Sequence, residues 1–98
     1  MCTILLKPIM EGRTFPESGE VLFQMIEEKL PLEDRIIIDM ADVISLPSMF
    51  LNVSIGKFIE IYGIDLLKKK IAFAHISTSQ MERLKVYINN VKGLVANS

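Results

Sequence analysis

The sequence predicts a small α/β domain whose sheet is mainly parallel or mixed. Three observations predict it. Short apolar runs of strand length lie at residues 3–9, 35–40 and 71–76. Each is followed by a stretch in which apolar residues recur at helical spacing. Two capping boxes, Thr14 to Glu17 and Ser77 to Gln80 (with Ser79 to Glu82 as a second option for the latter), mark where helices start shortly after a strand run. The element order is therefore β-α-β-α-β-α, with about three helices. Strand–helix alternation favours parallel pairing through right-handed crossovers.

The first strand, residues 3–9, carries Ile4, Leu5, Leu6 and Ile9, and Pro8 places it at a sheet edge or ends it. Glu11, Gly12 and Arg13 form a turn. A helix follows, capped by Thr14 or alternatively by Ser18, with Val21, Leu22, Met25, Ile26 and Leu30 on one face. Pro31 ends it. The second strand, 35–40, has the unalternated run Ile36-Ile37-Ile38 and closes on Asp39, which suggests burial on both faces. Val43, Ile44 and Leu46 are expected to tuck beneath the loop after it.

One helix is then expected from Pro47 or Ser48 to Tyr62, with Ser48 as its cap. It is unusually apolar, leaving Asn52, Ser54, Lys57 and Glu60 for solvent. That breadth fits either deep burial or an apolar strip offered to a partner. Gly63 supplies a left-handed stop. Residues 64–70 form a connection with one turn over 65–69. The third strand runs over 71–76. The last helix carries Met81, Leu84, Ile88 and Val91 on one stripe, ends at Gly93, and leaves residues 94–98 as a frayed tail.

Length and composition set the outer bounds. A chain of 98 residues fits one domain, 1–98, and half of its residues are apolar. With 11 basic and 12 acidic residues, net charge −1, it has no general attraction for nucleic acid or anionic membranes. Lys68-Lys69-Lys70 is the one local basic run, and such runs are more often solvated helix ends or strand entries. Cys2 is the single cysteine, so no internal disulfide is available. No signal peptide is visible, and no apolar stretch approaches the roughly 20 residues that span a bilayer. These features together read as a cytoplasmic protein.

In open α/β sheets, functional groups gather at the carboxyl ends of the strands. Here that edge collects Asp39, Asp42, Ser45, Ser48, His75, Ser77 and Thr78. Catalytic readings are weak. Two residues separate Asp39 from Asp42, no glycine-rich loop follows a strand, and His75 is the only histidine. Neither a metal site nor a cofactor is expected, and no enzyme activity. A small-ligand or nucleotide site would need a concave polar pocket joining the strand-end polar edge Asp39, His75 and Ser77.

The run Asp39-Met40-Ala41-Asp42-Val43, with the helix after it, resembles the STAS fold (sulfate transporter and anti-sigma factor antagonist). The closer likeness is to the small bacterial STAS-like domains of uncharacterised function. In that group a strand ends in Asp plus an apolar residue, Val comes shortly after, and a serine-containing turn leads into a helix that opens with Phe. The counterparts here are Asp39, Met40, Val43, Ser48 and Phe50. The likeness continues through Tyr62-Gly63-Ile64 and Ile71-Ala72-Phe73, and covers residues 12–91.

This resemblance implies a non-catalytic regulatory module that binds a partner protein, such as a histidine-kinase-type ATPase of the anti-sigma kind. The implied partner-binding residues are Asp42, Ile44, Leu46, Ser48, Met49 and Phe50, provided that several of the apolar ones are exposed. Antagonists of this fold are switched by phosphorylation at the helix start, where they carry two successive serines and a glycine. Ser48 matches the first serine and is the candidate phosphorylation position, while Met49 stands where the usual acceptor would be. A homodimer through the apolar helix or an edge strand is compatible with either reading.

Overall fold

The computed structural model describes residues 1–96, which form three strands and six helices. Strands β1 (Cys2–Leu5), β2 (Ile36–Asp39) and β3 (Ile71–Ala74) make one parallel sheet in the order β1-β2-β3. Cys2 pairs with Ile36 and Ile36 with Ile71, so the three strands are in step along their whole length. The expected α/β class and parallel pairing are present. β1 is an edge strand, as Pro8 suggests, but it is shorter than expected: Leu6–Met10 form a short helix, α1. Pro8 sits in the first turn of α1, where its missing N–H removes no helical bond.

Helix α2 (Phe15–Lys29) begins at the expected cap, where the Thr14 hydroxyl accepts from the Glu17 N–H at 3.3 Å. Ser18 is not a cap. It is fully buried inside the helix and donates to the Thr14 and Phe15 carbonyls. Beside it, Gly19 lies where α3 (Ser48–Asn52) crosses α2. A β-carbon there would come within 2.7 Å of the Phe50 carbonyl oxygen and 2.5 Å of the Val53 side chain.

The single helix expected from 47 or 48 to 62 is two helices, α3 and α4 (Ile55–Tyr62). Ser54 makes the break. Its hydroxyl donates to the Phe50 carbonyl at 2.8 Å and its N–H turns to the Leu51 carbonyl at 3.3 Å. A serine bonding back onto its own helix in this way competes with the backbone ladder. Ser54, expected to face solvent, is therefore fully buried. The apolar breadth of this segment is mostly core: Phe50, Leu51, Ile55, Phe58 and Ile59 are buried, while Ile61 and Tyr62 are exposed. The Tyr62 hydroxyl donates to Glu27 Oε2 at 2.7 Å, tying α4 to α2 and raising the tyrosine's own pKa.

Gly63 has the expected positive φ, +92°, but its ψ of 159° lies outside the left-handed helical region. That combination is essentially restricted to glycine. It joins α4 directly to α5 (Ile64–Lys70), a full helix where one turn was expected. Lys68, Lys69 and Lys70 form its last turn, where cations offset the partial negative charge of a helix end. The basic run is a helix terminus. Helix α6 starts at Thr78 on the complete Ser77–Gln80 capping box and continues through Gly93 to Ala96, so Gly93 does not stop it. The rest of the expected tail, residues 97–98, lies outside the described residues. Among the described residues, no helix is long and apolar enough to cross a membrane.

The core sits between one face of the sheet and the helices. Ile4, Ile36, Ile38 and Ile71 are buried there, with Cys2 and Phe73 packed against them. Burying each large aliphatic side chain contributes about 1.5–3 kcal/mol, so this face dominates the sheet's stability. The opposite face is different. Thr3, Leu5, Ile37, Asp39, Ala72 and Ala74 project from it, and none belongs to the core cluster. Two crossovers of one hand that advance the same way across a sheet must lie on the same side. Neither crossover covers the second face, and the expected two-sided burial of β2 does not occur: Ile36 and Ile38 are buried, Ile37 and Asp39 only partly.

Candidate functional site

The loop between β2 and α3 is built on three buried anchors. Met40, Val43 and Leu46, spaced three residues apart, all point inward. Met40 also donates its N–H to the Ala74 carbonyl at 2.8 Å, which carries the β2–β3 pairing one residue further. Asp42 occupies the left-handed region, φ +65°, at the turn closed by the Val43 N–H and Met40 carbonyl. Aspartate tolerates that conformation better than most residues.

Helix α6 holds this loop from the side. Gln80 Nε2 donates to the Val43 carbonyl, and Arg83 Nε donates to the Leu46 carbonyl, at 2.6 and 2.9 Å. Gln80 thus works with both ends of its amide, since its Oε1 accepts from the Ser77 N–H in the helix cap. Between the two clamped carbonyls, Ile44 stands out into solvent at 89% exposure. It does not tuck beneath the loop, because Met40, Val43 and Leu46 already fill the space there.

Open depressions flank Ile44. One of about 230 Å³ lies toward Lys7, Met10 and Phe15, and one of about 320 Å³ toward Pro47, Ser79 and Arg83. Met49 and Phe15 are also exposed. Of the six implied partner-binding residues, Asp42, Ile44, Ser48 and Met49 lie at least partly at the surface, while Leu46 and Phe50 are buried. Those two brace the loop and the helix start from inside and present no surface of their own. Pro47, not Ser48, occupies the N-cap position of α3; Ser48 is the first helical residue and makes no side-chain cap bond.

Two of the three strand-end polar residues meet. His75 Nδ1 lies 2.9 Å from Asp39 Oδ1, and the same oxygen accepts from the Ala41 N–H at 2.9 Å. The Ala41 N–H first and the His75 ring second hold the Asp39 carboxyl below the usual carboxylate range. His75 has φ +54° and a side chain that is 69% exposed. Ser77 is engaged separately, as the cap of α6. Of four depressions formed by the described residues, none joins Asp39, His75 and Ser77; the one beside Asp39 runs instead along Leu5, Pro8 and Asp42. Among the described residues, no three His, Cys, Asp or Glu side chains converge as metal ligands would.

Sequence spacing does not reveal Gln80 and Arg83 as the loop's support. The Ser77–Gln80 capping box is a local pattern, but a side chain reaching a carbonyl 37 residues earlier leaves no local signal. A family model described as a STAS-like domain of unknown function matches residues 18–81. Searches of curated proteins and of solved structures give no match.

Proposed function

The chain belongs to this family of STAS-like domains, and on that premise we propose that it is a non-catalytic regulatory module resembling an anti-sigma factor antagonist. It binds a partner protein through the β2–α3 loop and the start of α3. The observation that carries this reading is Ile44. A β-branched aliphatic side chain left 89% exposed on a loop held by two side-chain clamps is a preformed apolar knob. Ordering the loop in advance lowers the entropic cost of binding. Met49 and Phe15 widen the apolar contact, and Asp42 supplies a rim charge.

The partner that the family resemblance suggests is a regulatory ATPase of the histidine-kinase type. Ser48 supports a phosphorylation switch in this reading, because it reaches the surface and has no capping role. A phosphate there would add about −1.5 to −2 charge beside an apolar contact, and its desolvation would oppose binding.

The test compares wild type with Ile44→Ser and Met49→Asp in pull-downs from native cell extract, each variant checked by circular dichroism. A protein that binds wild type and is lost by both folded variants supports the reading. Binding that survives both substitutions places the interface elsewhere.

A further inference from the structure

Helices α3 and α6 border an open depression of about 420 Å³ whose lining includes Ser48, Leu51, Ser79, Glu82, Arg83 and Tyr87. Arg83 is its one cation, and it is held without being neutralised. Its Nε donates to the Leu46 carbonyl at 2.9 Å, and it forms no ion pair or other hydrogen bond with a described residue. The anchor fixes the plane of the guanidinium and leaves the N–H donors on Nη1 and Nη2 unused. The carbonyl that anchors Arg83 lies only two residues before Ser48. The Ser48 hydroxyl is exposed, opens on the same depression and makes no cap bond.

We propose that Arg83 is the receptor for a phosphoryl group on Ser48, binding it through Nη1 and Nη2 while Nε keeps the Leu46 carbonyl. The inference rests on the reading of Ser48 as the switched residue and adds what the phosphate does within the domain. The donor is a nucleoside triphosphate carried by the kinase-type partner. The Ser48 Oγ–P bond forms, the bond between its β- and γ-phosphates breaks, the hydroxyl proton is released and the diphosphate leaves. Arginine pairs with phosphate through two parallel, charge-assisted hydrogen bonds. The pair ties α3 to α6 across the depression and strengthens the clamp on the β2–α3 loop. Ile44 stays presented on an ordered loop, so the partner is lost through charge and its hydration, not through disorder. A free phosphate ion is the weaker occupant, because one exposed cation opposed by Glu82 must hold it, whereas attachment at Ser48 supplies it at high effective concentration.

The test uses protein with genetically encoded phosphoserine at position 48, beside unmodified protein, each with Arg83 and with Arg83→Gln. Titration by ³¹P NMR reads the second ionisation of the phosphate, about 6 when unpaired. A neighbouring guanidinium favours the dianion, so this pKa should be lowered with Arg83 and return to the unpaired value in Arg83→Gln. Glu82 and Tyr87 are the other titratable groups lining the depression; Glu82 opposes the dianion, and Glu82→Gln should lower the pKa further. Phosphoserine should also raise Tm by a few degrees and slow amide exchange across residues 41–47, and both gains should vanish in Arg83→Gln. An unshifted pKa with Arg83, or the same shift without it, overturns the proposal. So does faster exchange in the modified protein, since the phosphate would then have drawn Arg83 off the loop. Saturable shifts of the Arg83 Nε resonance when unmodified protein is titrated with inorganic phosphate would make a free ion the occupant and likewise overturn it. None of these measurements involves the partner, so a failed pull-down and a failed Arg83 assignment remain distinct results.

Discussion

Gly19→Ala probes the contact that sets α3, and with it the exposed end of the β2–α3 loop. The new β-carbon would sit 2.7 Å from the Phe50 carbonyl oxygen and 2.5 Å from Val53 Cγ2. Val53 could turn its side chain, but the carbonyl is backbone and also holds the Ser54 hydroxyl at 2.8 Å. Helix α3 must therefore move off α2, at a cost of about 1–3 kcal/mol, the range typical of overpacking. Alanine recovers about 1 kcal/mol of helix propensity over glycine. The net expectation is a loss of about 0–2 kcal/mol, or up to roughly 15 °C in Tm for a domain of this size. Urea and thermal unfolding followed by circular dichroism would measure it, with Gly12→Ala as the contrast. Gly12 has φ +71°, and a β-carbon added there would meet nothing within 4 Å, so its cost is backbone strain alone, about 1 kcal/mol. A Gly19→Ala protein more stable than wild type by the full propensity gain of about 1 kcal/mol would refute the close α2–α3 contact.

Gly63→Ala should cost about 1–3 kcal/mol, because φ +92° with ψ 159° is open only to glycine; equal urea midpoints would contradict this. Arg83→Ala and Gln80→Ala should each leave the helical circular dichroism intact while speeding amide exchange across residues 41–47, read by mass spectrometry. Asp39 supplies a pH dependence. Its folded-state pKa is lowered, so its contribution to stability is present above the unfolded value, about 3.9, and is lost as pH falls through the folded one. Asp39→Asn should accordingly flatten the acid limb of Tm against pH, and a carboxyl titration by NMR should place Asp39 below other exposed aspartates.

The parallel sheet and both capping boxes were legible because each rests on a local pattern: short apolar runs, and a hydroxyl three residues before a carboxylate or amide. The division of residues 47–62 was not. Ser54 looks like a solvent position by periodicity, and only tertiary burial turns its hydroxyl back onto Phe50. The one-sided helix cover of the sheet was also hidden. Ile36-Ile37-Ile38 reads as burial on both sides, whereas the sequential strand order puts every crossover on one side and leaves Ile37 half covered. At the site, Asp39 and His75 share the strand-end edge as expected, because Asp39 pairs with Ala74, the last residue of β3, and His75 follows it directly. Which loop residues face outward was decided by the three-residue spacing of Met40, Val43 and Leu46, and the same apolar character in Ile44 concealed it.

The sequential strand order also bears on how the chain assembles. Cys2 meets Ile36 and Ile36 meets Ile71, so the two crossovers are almost equal in length. Loop-closure entropy depends only weakly on length, and the cost of joining β1 to β2 is nearly that of joining β2 to β3. Neither half holds an entropic lead. The order of folding is then left to the helices inside each crossover: α2, a single long capped helix, against α3, α4 and α5, which are short, broken at Ser54 and Gly63, and stable only once packed. The first half should therefore nucleate the domain, with substitutions in α2 slowing folding and those in α4 and α5 chiefly speeding unfolding.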